Sequence, residues 1–168
     1  MNIQQLLDCP LVIFLDIDGV LNSDEYNPKG DDGYSGIAPY HVRFLNEILD
    51  QTGACIVISS SWRCSHTTPK PYEYAIGALE EAGMNRGVVR GMTPVLTSRM
   101  REDPYLRSRE IDQWLSQNPN VNNYCIIDDQ HSFTPDQMEH LVRTYMGDGL
   151  CEGHVKEAVD ILLDKAYN

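Results

Sequence analysis

The apolar positions of this chain alternate between two rhythms. Short continuous runs, LVIFLD (11–16), ACIVIS (54–59), GVVRGM (87–92), YCIID (124–128) and HLVRT (140–144), have strand length and are rich in β-branched or aromatic residues. Continuous apolarity is what a strand covered on both faces requires, so these runs predict five strands of a buried parallel sheet. Between the first two runs the period changes. Val42, Leu45, Ile48 and Leu49 recur on one helical face, in a segment opened by Pro39 and closed by Gly53. Proline suits the first helical turn, where its missing N–H has no partner to lose, and glycine suits the position just past the end. The same periodicity predicts helices near Tyr72–Ala82, Pro104–Ser116 and Glu152–Ala166. Strand and helix in alternation specify an α/β fold: a Rossmann-like three-layer sandwich around a five-stranded parallel sheet.

Two polar stretches interrupt the rhythm. Residues 22–38, rich in Gly, Asp, Asn and Tyr, follow the first run directly and are expected to form a lid or flap loop. Residues 63–71, with two prolines and two threonines, form a second candidate loop at the same edge of the sheet.

Length and composition narrow the classes. The 168 residues are expected to form a single domain, 1–168, and 42% hydrophobic with 23% charged residues is the balance of an ordinary globular protein. A net charge of −12 leaves no basic stripe, so neither extended nucleic-acid binding nor attraction to an anionic membrane surface is expected. Cys9, Cys55, Cys64, Cys125 and Cys151 are odd in number and contain no Cys-x-x-Cys pair. They read as reduced, mostly buried thiols, and with no leader or membrane span legible near the N-terminus the expected location is the cytoplasm.

Chemistry is expected beyond the carboxyl ends of the strands, where open α/β sheets bind their ligands. The residues there are Asp16 and Asp18, then Ser59, then Asp128 and Asp129. Any one aspartate of so acidic a chain reads first as a solvated charge. Four that all end apolar runs read as a site. Brought together they would repel one another, and a hard divalent cation bound through oxygen, Mg²⁺, is the economical remedy. Such a site suits phosphoryl transfer: Asp16 as nucleophile, Asp18 as proton donor and acceptor presented by the turn at Gly19, and Ser59 or its neighbour Ser60 as a hydroxyl for phosphate oxygens.

LDIDGVLN (15–22), VISSSW (57–62) and CIIDDQ (125–130) resemble, in order and spacing, motifs one, two and four of the haloacid dehalogenase (HAD) superfamily of phosphotransferases. SSSWR (59–63), GMTP (91–94) and RSREIDQWL (107–115) are similar to a capless subgroup, the HAD domains of Swiss-Army-knife RNA-repair proteins. The resemblance implies Asp16 as nucleophile and Asp18 as general acid/base, an Mg²⁺-dependent phosphomonoester hydrolase working through an aspartyl-phosphate. It implies Ser59 on the phosphate and a metal set of Asp16, Asp18 (through its carbonyl), Asp128 and Asp129. An acid at Asp18 points away from dehalogenation. Motif three usually carries Lys; here Arg107 is expected in its place, with Arg109 as the alternative, a planar fork that cannot change protonation state. Neither gap between motifs has room for a full cap domain.

The expected substrate is a small phosphorylated molecule or a phosphorylated nucleic-acid end, which the RNA-repair association hints at. Two other functions compete. A receiver-like signalling domain also gathers acids at strand ends, but it takes its phospho-acceptor from a middle strand, and GVVRGM supplies no acid. An inactive phosphate-binding module would bind without turnover. Trp62 and Arg63 are open between substrate contact and structural anchor. A zinc site at Cys64 and His66 lacks further ligands, Ile111 and Trp114 read as packing, and His41 and His154 as surface residues.

Overall fold

Alternate side chains of β1 (Leu11–Leu15) enter two separate cores. Leu11, Ile13 and Leu15 join one apolar layer, and Val12 and Phe14 join the other. The strand is therefore apolar at every position, because both of its faces are covered. This arrangement comes from a computed structural model, which describes residues 3–26, 36–64, 70–97 and 103–164.

The remaining strands are β2 (Cys55–Ile58), β3 (Val89–Met92), β4 (Asn123–Asp128) and β5 (Leu141–Arg143), all parallel, in the order β3-β2-β1-β4-β5. The chain runs outward from β1 in one direction and then crosses to β4 on the other side, so the order reverses at β1/β4. That crevice is where this kind of sheet receives a ligand.

One layer holds α2 (Pro39–Thr52), α3 (Pro71–Glu81) and α6 (Glu152–Asp164); Val42, Leu45, Ile48, Leu79, Ala158 and Leu162 pack there. The opposite layer is built by α4 (Leu106–Ser116), whose Ile111 and Trp114 meet Val12, Phe14, Val57 and Ile126. Trp114 stands edge-on to Phe14 at 5.4 Å between ring centroids. The helix α2 starts at Pro39 and ends at Gly53 in the left-handed conformation, φ 66°, whose N–H bonds back to the Leu49 carbonyl. Three short elements had no legible signal: α1 (Ile3–Leu7), a 3₁₀ turn at Ser61–Cys64, and α5 (Pro135–Met138) capped by the Thr134 hydroxyl.

His41, expected at the surface, is fully buried. Its Nδ1 lies 2.7 Å from the Leu150 carbonyl and its Nε2 3.1 Å from the Ser23 hydroxyl. Burial lowers its pKa and holds the ring neutral, so Nδ1–H donates and Nε2 accepts. The ring fits because residue 149 is glycine: a Cβ there would lie 2.8 Å from His41 Cε1.

The expected lid at 22–38 and loop at 63–71 fall largely on residues 27–35 and 65–69, outside the described residues. Among the described residues no helix is long and apolar enough to cross a membrane, and no second sheet or helical subdomain stands over the β1/β4 crevice.

Candidate active site

The parallel register sets Leu15 beside Ile127, so Asp16 and Asp128 leave the sheet side by side at the crevice. The ladder continues one step further, Asp16 N–H donating to the Ile127 carbonyl at 3.0 Å. Both carboxylates are buried. Oxygens of Asp16, Asp128 and Asp129 lie within 4.8 Å of one another.

Among the described residues one cation faces them. Arg107, near the start of α4 and largely buried, bonds through Nη1 to Asp16 Oδ2 and, at 2.5 Å, to Asp128 Oδ2. Burial works against the charged guanidinium, but the two carboxylates override it and hold the Arg107 pKa above its ordinary value. Arg109 points elsewhere, to Asp103. The reason is helical geometry: residues two apart on a helix face nearly opposite ways.

A single guanidinium does not balance the acids. Desolvation, and then repulsion from Asp16, push the Asp128 carboxyl up to about 7 despite Arg107, and the same two causes raise Asp129. The remaining lone pairs are partly engaged: Asp16 Oδ1 accepts from Ile17 N–H at 2.8 Å and Asp128 Oδ1 from Gln130 N–H at 2.9 Å. Three closely set oxygen donors with surplus negative charge fit a hard divalent cation.

Asp18 is handled differently. The chain turns at Gly19, φ 73°, where a Cβ would lie 2.7 Å from Asp129 Oδ2. The Gly19 carbonyl is fixed by the Thr144 hydroxyl at 2.8 Å. The Asp18 carboxylate accepts from Trp62 Nε1–H and from Asn22 Nδ2, each at 2.9 Å. It stands outside the three-carboxylate group.

Ser59 and Ser60 separate as well. The Ser60 hydroxyl accepts from Trp62 N–H at 3.3 Å, whereas the Ser59 hydroxyl is buried and has no hydrogen-bond partner among the described residues. An orphaned buried hydroxyl costs about 1–3 kcal/mol, which a ligand oxygen would recover. The Thr93 hydroxyl, at the end of the adjacent strand β3, is in the same condition.

Arg63 lies within the fold, not over the crevice. Buried, it pairs with Glu110 of α4 and donates to the carbonyls of Ser60 at 2.6 Å, Thr93 at 3.1 Å and Pro94 at 3.4 Å. A cleft of about 330 Å³ opens beside Arg107, with Gln130, Ser61 and Leu96 among its other walls.

With this arrangement in place, the family model described as the HAD domain in Swiss Army Knife RNA repair proteins matches residues 12–155. The chain belongs to that HAD family. Solved structures similar to this HAD domain include a hydrolase assigned to subfamily III A of the HAD superfamily from Legionella pneumophila. It is 16% identical, with a TM-score of 0.42 over 98% of this chain and 87% of that one. Another is the 3-deoxy-D-manno-octulosonate 8-phosphate phosphatase from Yersinia pestis, 18% identical, with a TM-score of 0.38 over 99% of this chain and 88% of that one. No curated protein matches the sequence.

Two features of the HAD domain's site escaped the sequence. Asn22 closes the LDIDGVLN motif and opens the polar stretch after β1, but neither marked it as a donor to Asp18. Thr93 lies in the GMTP stretch after β3, but that stretch gave its hydroxyl no role.

Proposed function

We propose that this HAD domain is a phosphomonoester hydrolase in which Asp16 attacks phosphorus and forms an aspartyl-phosphate. The observation that carries the reading is the pairing of Asp16 with Asp128 at the β1/β4 crevice, bridged by Arg107 and adjoined by Asp129. Family membership supports the same class of activity.

Asp16, Asp128 and Asp129, with the Asp18 carbonyl, would hold Mg²⁺. When bound, the ion offsets the charge of the acids and of the incoming phosphate. The chain's own residues do the rest. A phosphate entering the crevice meets Arg107, which holds its oxygens by charge-assisted hydrogen bonds, and the Ser59 hydroxyl, which has no partner among the described residues. A carboxylate oxygen of Asp16 bonds to phosphorus as the ester P–O bond breaks, and Asp18 passes a proton to the departing oxygen. A water then attacks phosphorus, giving its proton to Asp18, and the bond from phosphorus to Asp16 breaks to release inorganic phosphate.

The substrate class proposed is a small phosphomonoester or a phosphorylated nucleotide or nucleic-acid end. The described residues place no subdomain over the crevice, so a bulky leaving group has room to approach. The family's description among RNA repair proteins favours the nucleotide end of that range.

The test is Asp16→Asn assayed with Mg²⁺ against p-nitrophenyl phosphate and a panel of nucleotides. An amide is a poor nucleophile, so turnover should fall by about 1,000-fold or more, since removing a covalent nucleophile strips most of the chemical step. The far-ultraviolet dichroism should be unchanged. Wild-type turnover by a folded Asp16→Asn protein would remove the covalent mechanism.

A further inference from the structure

The four strand-end aspartates are chemically identical, and what distinguishes them is what fills their lone pairs. Three lie together, two of them, Asp16 and Asp128, paired with Arg107. The fourth, Asp18, is held on both oxygens by neutral donors: Trp62 Nε1–H on Oδ2 and Asn22 Nδ2 on Oδ1, each at 2.9 Å.

Both donors are themselves fixed. Asn22 is buried, and its side-chain oxygen accepts from Gly19 N–H at 2.9 Å, so the amide can present only its nitrogen to Asp18. Trp62 sits in the 3₁₀ turn after β2, with its backbone tied to the Ser60 hydroxyl. Its ring lies against Tyr74 at 5.9 Å and 27° between planes. The neighbouring Arg63, buried against Glu110, pins the turn to α4.

We propose that Trp62 and Asn22 are positioning residues that hold the Asp18 carboxylate apart from the Asp16–Asp128–Asp129 group, so that it serves proton transfer and not ligation through its side chain. The proposal rests on the reading of Asp18 as general acid/base. Neutral donors suit proton transfer because they orient the carboxylate without a counter-ion. A carboxylate has about four acceptor sites, which leaves two open toward the leaving oxygen.

Trp62→Phe tests it, because the ring stays and only the N–H is lost. Under single-turnover conditions with Mg²⁺, two rates are compared: release of alcohol from an aliphatic phosphate, and release of p-nitrophenolate from p-nitrophenyl phosphate. A poor leaving group needs the proton and a good one needs it less. The aliphatic rate should fall by roughly 10- to 100-fold, a share of the roughly 100- to 10,000-fold that general acid catalysis supplies, with the nitrophenyl rate and both KM values far less affected. In an Asp18→Asn background the same substitution should bring no further loss.

Equal losses on both esters, or the full loss repeated on top of Asp18→Asn, would mean that Trp62 only shapes the site. If Asp18→Asn cripples the aliphatic reaction while Trp62→Phe leaves it at the wild-type rate, the positioning role alone is overturned. If Asp18→Asn keeps the wild-type aliphatic rate, the acid/base reading falls and this proposal with it. Asn22→Asp keeps the acceptor for Gly19 N–H but sets a like charge against Asp18. It should show the same selective loss, and it decides the matter if dichroism shows Trp62→Phe unfolded.

Discussion

Arg107 and Arg109 are chemically the same residue on the same helix, and their surroundings give them different work. Arg107 is caged between Asp16 and Asp128, while Arg109 lies half in solvent beside Asp103. Arg107→Ala should lower kcat by about 100- to 1,000-fold, the usual loss when one pre-set donor to a transferring group is removed. Arg107→Lys should recover part of it, because the charge returns but the planar fork does not. Arg109→Ala should stay close to wild type, and the opposite ranking in steady-state assays would displace Arg107 from the phosphate. Asp128 supplies a second expectation. Its carboxyl is raised from 3.8 to about 7, so between those values the metal-free folded protein holds a proton that the unfolded chain has released. Stability without metal should therefore decline as pH rises through that window and level off above it. Denaturant unfolding in EDTA at several pH values measures the slope, and Asp128→Asn should flatten it.

Among the elements, α4 has two jobs on one face, because Arg107, Glu110, Ile111 and Trp114 fall on the same stripe of the helix. Ile111 and Trp114 anchor it to the even-numbered side chains of β1, and Arg107 and Glu110 reach toward the strand ends. Glu110 is the counter-ion that lets Arg63, within the 3₁₀ turn, lie buried; its other oxygen accepts from Leu96 N–H at 3.0 Å. Removing one partner of a buried pair leaves the other charge without compensation. Glu110→Ala should thus destabilise the fold by about 3–5 kcal/mol, read from equilibrium unfolding. The pairing also orders the turn that carries Trp62, so this variant should lose activity at temperatures where it is still folded. A Glu110→Ala protein with wild-type stability would show that the Arg63 carbonyl contacts suffice.

For the whole molecule, charge is the governing fact. Thirteen basic against 25 acidic residues give −12, and Arg107 at the crevice is already engaged by Asp16 and Asp128. Affinity for a nucleic-acid chain comes mainly from Lys and Arg neutralising successive phosphates, with a matching loss of affinity in salt. If a phosphorylated end is the substrate, kcat/KM should be nearly the same for a mononucleotide, a short oligonucleotide and a long one, and only weakly dependent on salt. A gain with length that disappears in salt would reveal a basic track assembled by the fold.

Much of this architecture was legible in the chain. Runs apolar at every position marked strands covered on both faces, and the change to helical period marked the crossovers, because burial of apolar area acts on each segment locally. The strand-end positions of Asp16, Asp128 and Asp129 followed from the same runs. Tertiary structure decided which polar group meets which. Asp18 meets Trp62, 44 residues on, Arg63 meets Glu110, and His41 turns inward to Leu150 and Ser23. Hydrophobic periodicity states which face of an element is dry, but a hydrogen bond depends on distances of a few tenths of an ångström between elements remote in sequence. Those distances exist only once the sheet has brought the strand ends together.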